Sequence, residues 1–207
     1  AQEKRNAYPG KMRDFVRALT QLSIFKTVAF QNSRYTHDLV AAQLVCLELA
    51  GGPANIKNAD LNKMYKGHAD FDANGPIAKT VRRTLDILAR VFSEPTPELE
   101  RYNVISLYCV VSELQRQYVL SAVEAQLHDW FIKFETRRLK NELNEFLDES
   151  QSDADILAYK EKISHSTDAA ESIRWRMEFL LRNLLETFPD LPRKDNQRDF
   201  THIQKLA

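Results

Sequence analysis

The sequence predicts an all-α protein, an irregular multi-helix bundle built around one central apolar helix. The first observation behind this is the run from Tyr102 to Leu120, where Val104, Ile105, Leu107, Tyr108, Val110, Val111 and Leu114 leave almost no polar side to the first half. A helix that is apolar all round cannot face water and must be surrounded by other helices. The run is shorter than the roughly 20 apolar residues a membrane span needs, and Glu113 and Arg116 interrupt its second half. The second observation is composition: only five glycines occur, while Leu, Ala, Glu, Lys and Arg dominate, and these residues favour helix. The third is that apolar residues recur at three- and four-residue spacing along the chain, with no strand alternation in competition.

The elements follow in order. Tyr8-Pro9-Gly10 predicts a turn, since Pro presets one dihedral and Gly permits the next. Met12, Phe15, Val16, Leu19 and Leu22 mark the first helix, and Ile24, Phe25, Val28 and Phe30 an apolar tail beneath it. Thr36 is expected to cap a helix whose first turn holds Asp38 and which Gly51-Gly52-Pro53 ends. A short helix is expected around Asp60–Tyr65. Ile77, Val81, Leu85, Leu88 and Phe92 form one stripe over residues 76–92, with Pro76 opening the helix. Thr96-Pro97 is expected to start the helix that runs into the central stretch. After a break near Ser121, a long helix passes through Leu127, Phe131, Phe134, Leu139, Leu143 and Phe146. Ser150-Gln151-Ser152-Asp153 is the most linker-like point. A shorter helix carries Ile156, Tyr159, Lys160 and Ile163. Asp168 and Glu171 resemble a capping box opening a last helix, whose stripe is Ile173, Met177, Leu180, Leu184 and Phe188, with Trp175 and Phe179 as a second apolar edge. Pro189 and Pro192 end it. The organisation read from this is a helical core over 1–149 and a C-terminal helical extension over 150–207, or one continuous domain.

With 43% apolar and 28% charged residues, the 207-residue chain can bury a sizeable core. Lys+Arg and Asp+Glu balance at 29 each, so no global basic field draws it to nucleic acid or membrane, and such binding has to be local. Cys46 and Cys109 lie in apolar helical runs and read as buried small hydrophobes rather than a disulfide or reactive thiols. That usage fits a reducing cytoplasm, and no signal peptide or membrane segment is visible. The chain opens inside the polar helical run Gln2-Glu3-Lys4-Arg5-Asn6-Ala7 and closes just after a capping-box start, Thr201 with Gln204. It therefore reads as a piece of a longer polypeptide.

Chemistry-bearing constellations are few. Asp70-Phe71-Asp72-Ala73-Asn74-Gly75 has the opening of a calcium loop, with oxygen ligands at alternate positions and Gly at the sixth. Val81 stands where the bidentate Glu should be, so Asp70, Asp72 and Asn74 are a weak metal candidate beside the plainer reading of a turn that caps the next helix. His37, His68, His128, His165 and His202 show no ligand spacing, and neither a phosphate loop nor a Gly-x-Ser-x-Gly elbow occurs. No catalytic constellation is expected, and no cofactor.

Two local basic stretches remain. One is Lys79, Arg82, Arg83 and Arg90; the other is Lys133, Arg137, Arg138 and Lys140, beside Trp130, Phe131 and Phe134. Basic side chains spaced along a helix can track phosphates. Glu135 and Glu142 dilute the second stretch, and a solvated face laced with ion pairs is the plain alternative. Trp130 and Phe134 are expected to anchor their helix in the core.

The ends carry a resemblance. Glu3-Lys4-Arg5-Asn6-Ala7, followed by Tyr8 to Phe15, resembles a segment of the ParB-like, GmrSD-type restriction family, in which a Leu-Asn-x-x-Glu-x-Arg-Asn-Ala stretch closes an N-terminal nucleotide-handling domain. Glu3, Arg5 and Asn6 match it; the preceding Leu-Asn and the family's Asp-Gly-Gln-Gln-Arg motif are not in this chain. Arg193-Lys194-Asp195 to Thr201 resembles the lead-in to a C-terminal HNH nuclease module, whose His and Asn residues are likewise not here. The resemblance implies a middle helical domain of a phage-defence restriction protein, without chemistry of its own, relaying nucleotide sensing to DNA cleavage. The nucleoside triphosphate and divalent metal would belong to the flanking domains, which would be its partners along with DNA; no membrane is implied. Glu3, Arg5 and Asn6 would then sit exposed or loosely held at the seam with the nucleotide domain. The competing readings are a self-contained module that recognises duplex DNA and a plain protein-interaction scaffold.

Overall fold

The computed structural model describes residues 5–147 and 153–194, with side chains omitted at 145–147. Among these residues the protein is all-α, with a single isolated bridge between Tyr118 and Arg193 and no strand. The helices are α1 (Lys11–Leu19), α2 (Ile24–Thr27), α3 (Thr36–Leu49), α4 (Asn58–Gly67), α5 (Pro76–Val91), α6 (Arg101–Gln117), α7 (Leu127–Leu147), α8 (Ala154–Ser164) and α9 (Ala170–Thr187). Short 3-10 turns at Ser33–Tyr35, Leu120–Ala122 and Glu124–Gln126 join them. None of these helices is long and apolar enough to cross a membrane. The linker expected at Ser150–Ser152 and the second capping box at Thr201 lie outside the described residues.

The central apolar run is α6, enclosed by α3, α5 and α9 as its all-round apolar pattern requires. Val104, Ile105, Leu107, Tyr108, Val110, Val111 and Leu114 are at most 3% exposed. Asn103, Ser106 and Ser112 are buried with it. Tyr108 Oη and Ser112 Oγ both donate to Glu48 Oε2 on α3, at 2.9 and 3.2 Å. Ser106 Oγ accepts from Nε of the fully buried Arg176 on α9, at 2.9 Å. Burying charges costs stability unless each finds partners. Arg176 also donates to the carbonyls of Lys162 and Thr167, so its one side chain fastens the α8–α9 connection to the central helix.

Several helix starts differ from the sequence expectation, because partners other than the expected caps take their place, at α6 and α9 from across the fold and at α3 from the preceding turn. Helix α6 begins at Arg101 rather than Thr96. The Thr96 amide donates to the Thr27 carbonyl and the Ala29 amide to the Leu99 carbonyl, which folds 96–99 into a turn against α2. Thr36 does not cap α3; its hydroxyl donates to the Ser33 carbonyl, while Asn32 Oδ1 accepts from the His37 amide. Asp38 is buried, and that burial raises its carboxyl above the ordinary range. Asp168 and Glu171 form no capping box. Asp168 accepts from Arg101 on α6, Glu171 pairs with Lys162, and the amide of Ala170 donates to Asn55 Oδ1, far away in sequence.

The long helix α7 also differs from expectation. Leu139 and Leu143 are 51% and 57% exposed rather than core, whereas Glu135 and Arg138 are buried. Gly10 has φ 122°, and a Cβ there would come within 2.7 Å of the Ala69 carbonyl oxygen, which accepts from the Lys11 amide at 2.8 Å. Only glycine permits that positive φ and that approach, and it holds the start of α1 against the loop before α5.

Candidate nucleic-acid interface

Helix α5 buries Val81, Leu85 and Leu88 against the core, which turns Lys79, Arg83, Asp86 and Arg90 outward at helical spacing. They line a cleft of about 510 Å³ with Arg82, the end of α6, the turns at 119–124 and Lys194. Five basic side chains (Lys79, Arg82, Arg83, Arg90 and Lys194) meet two acidic ones there, Asp86 and Glu124. In a chain with equal numbers of each sign, that is a concentrated positive field. The five differ in availability. Arg90 pairs with Glu124 at 2.7 Å, which raises its pKa. Arg82 donates to the Ala73 carbonyl and lies over the Phe15 ring, 4.8 Å from its centroid. Lys194 Nζ donates to the Gln115 carbonyl. Lys79 and Arg83 are exposed and have no such partner among the described residues.

The second basic stretch is divided by the fold. Lys133 and Lys140 are exposed, and Arg137 pairs with Asp153. Burial, the largest single effect, would raise the Asp153 carboxyl, but Arg137 and the amides of Ile156 and Asp155 together outweigh it and hold the carboxyl below its ordinary range. Arg138 faces inward at 6% exposure. Its Nη2 and Nε donate to Glu135 at 2.8 and 3.0 Å, and Nη1 donates to Glu142. Burial opposes the charge on Arg138, but the Glu135 bonds outweigh it and the guanidinium stays protonated. Arg138 is therefore committed to the interior and unavailable to a phosphate. Trp130 and Phe134 are 5% and 3% exposed, and Trp130 Nε1 donates to Asn183 Oδ1 at 3.0 Å, so they anchor α7 against α9.

Of the residues matched by the terminal resemblance, Glu3 lies outside the described residues. Arg5 is not the exposed seam residue expected. It is fully buried, donating to Asn62 Oδ1 at 3.0 Å and Asn58 Oδ1 at 2.5 Å on α4, and burial lowers its pKa. Asn6 is half-buried and lies beside Asp38.

Asp70, Asp72 and Asn74 are exposed; Asp70 and Asp72, but not Asn74, border a cleft of about 580 Å³ with Lys66 and His68. Asp72 Oδ1 accepts from the Asn74 amide and the Asp72 carbonyl from the Gly75 amide, a turn that delivers Pro76 to the first position of α5. No three His, Cys, Asp or Glu side chains converge to hold a metal among the described residues. Burial raises the Cys46 thiol to about 11 and the Cys109 thiol to about 12, far from a thiolate nucleophile at neutral pH.

Sequence reading missed Lys194 and Asn183. Lys194 reaches the cleft because the Val119 amide donates to the Pro192 carbonyl and the Lys194 amide to the Gln117 carbonyl, a long-range pairing with no local signature. Asn183 sits one helical turn before Thr187 on the face of α9 opposite Trp130, and nothing in its spacing marks it. No family model, curated protein or solved structure matches the chain.

Proposed function

We propose that this chain is a non-catalytic helical domain of a restriction-type DNA endonuclease. It would contact nucleic-acid phosphates through the α5 cleft and relay nucleotide sensing at one flank to cleavage at the other. The observation that carries the phosphate contact is the five-to-two excess of basic over acidic side chains in one concavity of a neutral chain. The relay is supported by the terminal resemblance and by the segment Asn55–Asn62. Arg5 bonds to Asn58 and Asn62 on that segment, while Asn55 and Ile56 bond to the Ala170 amide and the Asp168 carbonyl at the start of the last helix. A protein-interaction scaffold is the second reading, favoured by the exposed pair Leu139 and Leu143 one turn apart on α7.

The test is binding of short labelled duplexes across a salt series. Lys79→Ala with Arg83→Ala should lower the salt slope by about two units, uniformly across sequences. Both side chains are exposed, so the melting temperature should hardly move. Absence of binding even at low salt would remove the phosphate-contact role and leave the relay.

A further inference from the structure

A second concavity, about 330 Å³, opens between α7 and the C-terminal turn of α9. Gln126 lines it while Glu124 lines the basic cleft, and residues that close in sequence are at most about 7 Å apart. The two concavities therefore flank one turn. Along α7 the lining runs Asp129, Trp130, Lys133, Phe134, Arg137, a spacing that puts two rings, two cations and one carboxylate on the pocket side of the helix, with Asp129 paired to His128. Phe188, half-buried, closes the opposite side.

The polar groups in this pocket are oriented. Trp130 Nε1 donates to Asn183 Oδ1, which fixes the amide and leaves Asn183 Nδ2 as a donor for whatever enters. Thr187 Oγ1 gives its hydrogen to the Asn183 carbonyl, so toward the pocket it can only accept. Among the described residues Lys133 has no intramolecular partner, whereas Arg137 shares its charge with Asp153. The C-terminal end of α9 carries the negative end of the helix dipole, so an anionic group is favoured on the α7 side, beside Lys133. The volume is at the small end for ligand sites, too small for a large ligand and suited to one ring system.

We propose that this pocket holds a single nucleobase, its ring against half-buried Phe188 and the small exposed parts of Trp130 and Phe134, an acceptor of the base (a ring nitrogen or a carbonyl oxygen) on Asn183 Nδ2, and its phosphate toward Lys133. The base comes either from a free nucleotide or from an unpaired position of a strand whose backbone lies in the α5 cleft. Only the strand form rests on the phosphate-contact reading above. Ring stacking combined with a cationic track is how single strands are held without sequence preference.

The experiment uses the full 207-residue chain carrying Trp175→Phe, so that Trp130 is the only tryptophan left to report. Thymidine 5′-monophosphate and a thymidine dodecamer should quench its emission saturably, whereas deoxyribose 5-phosphate and inorganic phosphate should not. Lys133→Ala should weaken the mononucleotide roughly fivefold, the effect of losing one exposed charge contact. Phe188→Ala should weaken it at least as much, with its circular dichroism checked for retained fold. A dodecamer carrying one central bromouracil should photo-crosslink to peptides spanning residues 126–137 or 183–188. If the dodecamer binds with a salt slope that Lys79→Ala/Arg83→Ala lowers, yet no probe quenches Trp130 and crosslinks fall elsewhere, the pocket proposal is overturned and the phosphate face stands. If the mononucleotide quenches but no strand binds at low salt, the pocket stands as a free-nucleotide site and the phosphate face falls. Equal quenching by deoxyribose 5-phosphate would show an anion site without base recognition and would overturn the proposal.

Discussion

Replacing Arg138 with Met tests how far the interior charges of α7 specify the fold. In the native protein Arg138 and Glu135 are 7% and 2% exposed, and Arg138 also bonds to Glu142 and the Tyr102 hydroxyl. Removing one partner of a buried pair leaves an uncompensated charge, which costs about 3–5 kcal/mol. For a chain of this size that is a loss of roughly 10 °C or more in melting temperature. The cost should depend on pH. Burial already raises the Glu135 carboxyl above its ordinary range, with Arg138 opposing the shift, so the variant raises it further. A group whose folded pKa is raised contributes stability that is present below its unfolded pKa and lost as pH rises through its folded pKa. The penalty of Arg138→Met should therefore be small at acid pH and grow by up to about 1.4 kcal/mol per unit across the window between those two values. Glu135→Gln added to Arg138→Met should abolish most of that dependence. Urea unfolding at several pH values is the assay. A cost below about 1 kcal/mol, or one that is the same at every pH, would refute the reasoning and return Arg138 to the set of free surface cations.

Two further outcomes follow from the same structure. Arg5→Met removes the hydrogen bonds to Asn58 and Asn62, whose exposed side chains water can then solvate, so the loss is the net value of such bonds, about 0.5–1.5 kcal/mol each, and this variant should show a modestly lower urea midpoint than wild type; an unchanged midpoint would contradict the geometry. Cys46 and Cys109 should resist a thiol reagent in the folded protein at pH 8 and react on unfolding, because burial keeps both thiols protonated; fast labelling of Cys109 before unfolding would contradict its 4% exposure.

Helix positions were legible because apolar periodicity survives any arrangement of neighbours; helix starts were less so because they depend on those neighbours. The stripe Ile77, Val81, Leu85, Leu88 became α5 within a residue at its end, and the run Tyr102–Leu120 became the enclosed α6 as far as Gln117, with Tyr118 extended and Leu120 in the following 3-10 turn. Thr96, Thr36 and Asp168 carry cap chemistry in the sequence, yet Thr27, Asn32 and Asn55 supply the deciding bonds, two of them across the fold. The inward charges had a signal that charge itself obscured. Arg176 lies three residues after Ile173 and four before Leu180, and Glu135 and Arg138 continue the line of Phe131 and Phe134, so all three occupy core positions by spacing. The same line leaves Leu139 and Leu143 on the other side of α7, where they are exposed. Of the interface residues, Lys79, Arg82, Arg83 and Arg90 were visible as one helix face, whereas Lys194 joins them only through the pairing of 192–194 with 117–119.

The placement of those inward charges gives a physical account of why α6 holds one register. An apolar helix among apolar neighbours can slide or rotate at modest cost, since hydrophobic contact has no direction. Helices α3, α9 and α7 instead present groups of fixed geometry to α6. Glu48 on α3 takes hydrogens from Tyr108 and Ser112 and lies 3.7 Å from Arg116. Arg176 on α9 reaches Ser106, and the Arg138–Glu135 pair on α7 meets Tyr102 and Asn103. A rotation of α6 that satisfies one of these breaks another, and each broken one leaves a buried polar group unpaired. Such a helix moves with its neighbours or not at all. A relay through this domain would then travel as rigid-body displacement of the bundle, and the elements at which it could enter and leave are those tied by single side chains: Arg5 on α4, and Asn55 at the start of α9.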